Sequence, residues 1–268
     1  MPRLLALLLI CAASSADAIV VRHDVDDARY RVDASELPAL VDLPGEGHGV
    51  LIAPTWILTA AHTVAGNAPT CVTLGDACRE VKRVVVHEGY RPLPDDVVQR
   101  VLAKKDATEI LPLLAASADI ALIELVGPVT DVAAVALFRG RDELGRLAKL
   151  VGKGGTGTGL EGQPVHSSHR TELRRAFNTL DYADERWLGY TFARGDAGHE
   201  LEGVGGNGDS GSPVLVEVGG QWHVAGLVAW KVAGGDPATH RAGKYGAEFR
   251  STRVSSYVEW IDGFVAVR

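Results

Sequence analysis

The sequence predicts a mostly-β protein, a barrel or a pair of packed sheets, closed by one late helix. Short apolar, β-branched runs recur along the chain, broken by proline and by many of the 31 glycines. There is no strand–helix–strand alternation and no internal repeat. Helical spacing of apolar residues is confined to two stretches. The 268 residues suit one large domain or two small ones, and an apolar content of 46% suffices for a packed core. A net charge of −7 argues against a nucleic-acid partner, which favours a basic face.

Taken in order, residues 1–18 read as a signal peptide, leaving a mature domain of residues 19–268. Arg3 gives a basic start, residues 4–13 are apolar, and Ala16-Asp17-Ala18 is a small-x-small cleavage site. That apolar run is too short to span a bilayer, which needs ~20 residues, so no stable membrane anchor is expected. Bulky Ile10 disfavours a lipid anchor on Cys11. The expected location is secreted, extracellular or periplasmic. Export leaves Cys71 and Cys78, separated by a Gly75-Asp76 turn. A disulfide is favoured in an oxidising compartment over a metal site, because two thiolates without a nearby histidine pair are poor zinc spacing.

Residues 49–54 and 56–59 are apolar runs split by Pro54, as in a strand pair, and they lead into Ala60-Ala61-His62-Thr63. Residues 81–87 form another β-branched run. Across 95–116, Val97, Val98, Val101 and Leu102, then Ile110, Leu113 and Leu114, are spaced as on an amphipathic helix, with a break expected at Pro112. A buried strand entered through Asp119 follows at 117–125. Six glycines between 152 and 162 lack the Gly-Lys-Ser/Thr ending of a phosphate loop and read as a mobile surface loop. Gly208-Asp209-Ser210-Gly211-Ser212-Pro213 reads as a tight turn presenting Ser210 ahead of a buried strand, Val214-Leu215-Val216. Residues 222–230 alternate, and Val254, Tyr257, Val258 and Ile261 return to helical spacing.

Three separated stretches, Thr59-Ala60-Ala61-His62, Ala118-Asp119-Ile120-Ala121-Leu122 and Gly208-Asp209-Ser210-Gly211, resemble the histidine, aspartate and serine motifs of the trypsin/chymotrypsin serine peptidases, in that family's order. The resemblance runs from about Ile19 to the closing helix. It implies two packed six-stranded β-barrels with a C-terminal helix, and catalysis in the cleft between them. The chemistry is consistent with the residues themselves. A serine hydroxyl needs an adjacent base, an imidazole titrates near working pH, and a carboxylate fixes its tautomer. His62, Asp119 and Ser210 are thus the candidate triad of an endopeptidase acting on proteins or peptides, with no cofactor and no metal. The resemblance also implies an oxyanion hole from the N–H groups of Gly208 and Ser210. It further implies an ion pair between a new N-terminus at Ile19 and Asp209, which signal cleavage would itself create.

The chain departs from the family pattern in places. Gly47 and Thr63 stand roughly where half-cystines often flank the catalytic histidine. Val204 holds the position of the aspartate that sets basic specificity, so trypsin-like cleavage is not expected. Ala229 and Lys231 replace a serine and a glycine around Trp230 on the substrate-binding strand. Lys231 either narrows the primary pocket or favours an acidic group there, or else points to solvent. Glu200, Glu202 and Glu248 lie near the pocket in sequence, or on solvated loops. Ser212 replaces a glycine. An α/β-hydrolase esterase is disfavoured by the order of the three motifs. The altered pocket keeps one alternative open, a catalytically silent homologue serving as a protein-binding module.

Overall fold

The computed structural model describes residues 19–164, 172–233 and 240–265. The expected signal peptide lies outside them. The strands are β1 (Val20–Val21), β2 (Leu40–Asp42), β3 (His48–Ala53), β4 (Trp56–Thr59), β5 (Cys71–Leu74), β6 (Ala77–Val86) and β7 (Ala121–Leu125). They continue with β8 (Leu147–Gly152), β9 (Gly157–Thr158), β10 (Arg174–Thr179), β11 (Tyr182–Ala183) and β12 (Trp187–Thr191). β13 (Gly203–Val204), β14 (Pro213–Val218), β15 (Gln221–Val232) and β16 (Glu248–Arg253) complete the set. Among the described residues three α-helices accompany them: α1 (Asp95–Lys104), α2 (Leu111–Ala116) and α3 (Val258–Val265).

The expected mostly-β architecture is observed. β2–β3–β4–β7–β6–β5 close into a six-stranded barrel. The second unit is a half-barrel, a seven-stranded sheet ordered β10–β8–β14–β15–β16–β12–β11, flanked by the small sheet β13–β1–β9. Apolar runs fill both units. Val50, Leu51, Ile57, Leu58, Leu122 and Ile123 are buried in the first barrel, and Leu150, Leu188, Tyr190, Val214 and Phe249 in the second unit. Cys71 and Cys78 are joined by a disulfide across the β5–β6 hairpin, with Cα atoms 5.9 Å apart.

The segment at 95–116 is helical, but its break lies elsewhere than expected. Lys105 caps α1 in the left-handed conformation (φ 55°), and Asp106 caps the 3-10 turn Ala107–Ile110 through the Thr108 N–H. Pro112 sits in the first turn of α2, where its missing N–H has no partner to lose. The proline therefore starts a helix. The closing helix is present, with Val254, Tyr257 and Ile261 buried in the first barrel's core. No helix among the described residues is long and apolar enough to cross a membrane.

Candidate active site

Strand register brings His62 and Asp119 together. β4 and β7 are antiparallel, with Thr59 opposite Ala121. The chain leaving β4 and the chain entering β7 therefore meet at one barrel rim, and the 3-10 turn Ala61–Thr63 adds His62 there. His62 Nδ1 lies 2.7 Å from Asp119 Oδ2, and the His62 backbone N–H donates to Asp119 Oδ1 at 2.9 Å. An ionised carboxylate only accepts, so Nδ1 carries the proton and Nε2 is left as the basic nitrogen. The Thr252 hydroxyl of β16 donates to the Asp119 carbonyl at 2.7 Å, pinning the aspartate from the second unit. Burial opposes charging of His62, but the Asp119 carboxylate, helped by Glu46, outweighs it and lifts the imidazole above its ordinary value.

Ser210 sits on the predicted turn, held from both units. Its carbonyl accepts from the His48 N–H at 2.7 Å, while Gly211 N–H donates to Val228 O at 2.8 Å. Gly211 has φ 77°, and a Cβ there would stand 2.2 Å from His48 O, so only glycine fits. Gly208 (φ 89°) turns its peptide in the same way. The N–H groups of Gly208 and Ser210 have no acceptor among the described residues. A Cβ on Gly47 would lie 2.9 Å from Thr63 Cγ2 and 3.2 Å from Ser210 O, so the histidine turn and the serine turn pack over that one glycine. In place of a disulfide there, Thr63 Oγ1 donates to Ala60 O at 2.7 Å.

Asp209 faces inward and is buried. Oδ1 accepts from Gly154 N–H at 2.7 Å and Oδ2 from Gly206 N–H at 2.8 Å, and the Ile19 backbone N–H also bonds to this carboxylate. Burial pushes the carboxyl up to about 6 against these donors. Ile19 is itself buried, and β1 behind it pairs with β9 and β13. The glycine-rich stretch is thus no mobile surface loop. Gly152, Gly154, Gly155 and Gly159 are buried, and a Cβ on Gly152 would meet Asp209 Oδ1 at 2.1 Å. These glycines make room for the aspartate.

Two cavities flank this centre and share Ala229 and Trp230. The β15–β16 register skips Ala229, a bulge that aims two successive residues at the cleft. The larger cavity, about 280 Å³, adjoins His62 and Asp119 and is walled by Tyr90, Leu93, Leu114 and Trp187. Trp187 packs edge-on against Trp230 at 5.4 Å, and its Nε1–H donates to Ala115 O of α2 at 2.9 Å. The smaller, about 80 Å³, adjoins Ser210 and is lined by the 205–208 backbone, Val228, Lys231, Phe249 and Glu46.

A family model described as Trypsin matches residues 29–261. The chain belongs to the trypsin family. It is 26% identical to mouse vitamin K-dependent protein C over 240 residues, covering 81% of this chain and 45% of that protein. It is 28% identical to mouse complement C1r-B subcomponent over 265 residues, covering 83% and 31%. With mouse tryptase the identity is 28% over 240 residues, covering 81% and 77%. The chain thus spans under half the length of two of these trypsin-family relatives.

Against the trypsin-family pattern, Ala229, Trp230 and Lys231 do line the cleft. Val204 does not. It is fully buried in β13 opposite Val20, and Phe249 lines the small cavity instead. Lys231 is half-buried and its Nζ bonds Asn207 Oδ1, rather than pointing to solvent. None of the three glutamates lines either cavity. Glu202 ties the His199 and Ala193 N–H groups, Glu200 pairs with Arg29, and Glu248 pairs with Arg250. Thr252, Trp187 and Phe249 went unread in the sequence, since each acts on residues distant in the chain and carries no local signature.

Proposed function

We propose that this trypsin-family chain is a secreted serine endopeptidase that cleaves polypeptides through an acyl-enzyme, with Ser210 as nucleophile, His62 as general base and Asp119 as its orienting partner. The observation that carries the reading is the His62–Asp119 pair, doubly bonded at the rim that packs against the Ser210 turn. In this mechanism Ser210 Oγ attacks the scissile carbonyl carbon and its proton passes to His62 Nε2. The carbonyl oxygen becomes an oxyanion that takes the unclaimed N–H groups of Gly208 and Ser210, each such donor being worth ~2.7–4 kcal/mol of barrier. Collapse expels the amine, which takes the proton from His62. Water, deprotonated by the same imidazole, then hydrolyses the ester.

Activation fits the sequence reading. Cleavage after Ala18 converts the Ile19 amide, already bonded to Asp209, into an ammonium that pairs with a buried carboxylate. The oxyanion turn directly follows that aspartate, so the pair orders it. Casein-derived peptides incubated with the secreted protein test the activity. Hydrolysis by wild type, absent from Ser210→Ala, is expected; equal inactivity of both, in protein shown to start at Ile19, favours a silent binding module. N-terminal sequencing of active protein is expected to read Ile19-Val20, and any other start contradicts the activation step.

A further inference from the structure

We propose that Lys231 is the specificity-determining residue of the small cavity, selecting a short acidic side chain, aspartate before glutamate, immediately upstream of the scissile bond. The proposal rests on Ser210 being the nucleophile, since the cavity that opens beside Ser210 then receives the substrate residue whose carbonyl is attacked.

Size excludes the alternatives first. The cavity holds about 80 Å³, and its wall at Phe249 is fixed by a ring stack on buried Tyr190, with centroids 5.7 Å apart and planes 1° from parallel. A long basic or aromatic side chain finds neither depth nor, with Val204 committed to β13, an aspartate to meet. What the cavity does offer is a cation. The bulge at Ala229 brings Trp230 and Lys231 to its lip, and Lys231 Nζ bonds the neutral amide oxygen of Asn207 across it.

The charged neighbours leave that cation without a dedicated counter-charge among the described residues. Asp209 acts on it electrostatically, but its carboxylate already takes three backbone N–H donors, one of which, that of Ile19, becomes an ammonium once the chain begins there. Glu46 also acts on it but is solvent-exposed at the rim, and it acts on His62 as well. From the following segment Lys244 adds a second positive charge, whereas burial, with the Lys231 and Lys244 charges, holds His240 below its ordinary value and so neutral. Burial lowers Lys231 itself to about 8. A substrate carboxylate entering here replaces the neutral Asn207 oxygen with an ionised acceptor, so the ammonium gains an ion pair in place of a contact with an uncharged dipole. A neutral short side chain gains nothing from the cation, and a basic one is repelled.

The test is a set of peptides identical except for Asp, Glu, Ala or Lys before the scissile bond, with kcat/KM measured for wild type and Lys231→Met. The wild type is expected to favour Asp over Ala by tenfold or more, and the preference to fade as pH rises past 8. In Lys231→Met the ratio is expected to fall to one or below. Binding of product peptides ending in Asp or Ala to Ser210→Ala gives a second measurement, independent of turnover, with Asp expected to bind tighter. A wild type that prefers Ala, or a ratio within twofold of wild type in Lys231→Met, overturns the proposal. Fluorophosphonate labelling separates the two failures. A protein that labels but does not favour Asp defeats the specificity assignment, whereas one that never labels defeats the nucleophile beneath it.

Discussion

The two cavities of the cleft are built on the same two residues, Ala229 and Trp230, and otherwise share nothing. The larger is apolar, and much of its wall comes from the 90–117 region that holds the inserted helices, which Trp187 ties back to the cleft through Ala115. The smaller is cramped and of mixed character, with backbone from 205–208, the Lys231 cation, Glu46 at its rim and the fixed Phe249 ring. One bulged strand thus presents a common floor, and the chain varies the walls independently on each side. On this reading, binding energy for an apolar upstream residue is gathered beside His62, while charge selection is made beside Ser210.

The largest expected effect breaks both cavities at once, because His62 is the proposed base between them. Asp119→Asn leaves the ring without its carboxylate and is expected to lower kcat on the order of 10⁴-fold. The sign of the pH effect follows from the raised His62. The base works only when neutral, so the acid limb of wild-type kcat/KM lies above the ordinary ~6.5 of histidine. In Asp119→Asn that limb moves down. A pH profile of both proteins checks this.

Asp209 sharpens the comparison, since it supports the small cavity and touches none of the large one. Asp209→Asn in protein starting at Ile19 leaves a buried ammonium without its counter-charge, at a cost of about 3–5 kcal/mol. We expect kcat/KM to fall by about 10²–10⁴-fold, the same energy expressed as a rate. The raised carboxyl also gives a stability signature. Without cleavage after Ala18, the folded state holds a proton that the unfolded state releases, so stability falls as pH rises from 3.8 through about 6. A chain beginning at Ile19 offers the carboxylate an ammonium and keeps its stability across that window. Melting temperatures of both forms against pH report the difference.

The Cys71–Cys78 bridge lies in neither cavity and serves as the control. Replacing both cysteines by serine is expected to lower stability by up to ~2.5 kcal/mol in the chain-entropy picture, with the Asp-over-Ala preference unchanged. The smallest effect belongs to the tether of the large cavity. Trp187→Phe keeps a ring and removes the hydrogen bond to Ala115, worth ~1 kcal/mol. A few-fold rise in KM for substrates with a bulky apolar upstream residue is expected, with kcat little changed.

The residues proposed to do the chemistry are legible because each sits in a short run whose neighbours shape it: Ala60-Ala61 before His62, Asp119 entering a buried strand, and glycines on both sides of Ser210. The all-β class and the closing helix followed from periodicity. What stayed hidden depends on long-range pairing. The glycines at 152–162 look like a loop until Asp209 is placed among them. Phe249 replaces Val204 as a cavity wall because β13 spends Val204 on pairing with Val20. Pro112 broke an apparent helix on paper, yet Lys105 and Asp106 end it first and the proline opens the next one. The strand count of the second unit, a half-barrel, depends on which edges pair, and no local pattern records that.

The most direct test of the central claim is fluorophosphonate labelling of protein beginning at Ile19, followed by peptide mapping of the adduct. The account predicts one adduct on Ser210, lost in Ser210→Ala and strongly slowed in Asp119→Asn. An adduct on another residue, or none on correctly processed wild type, would contradict it.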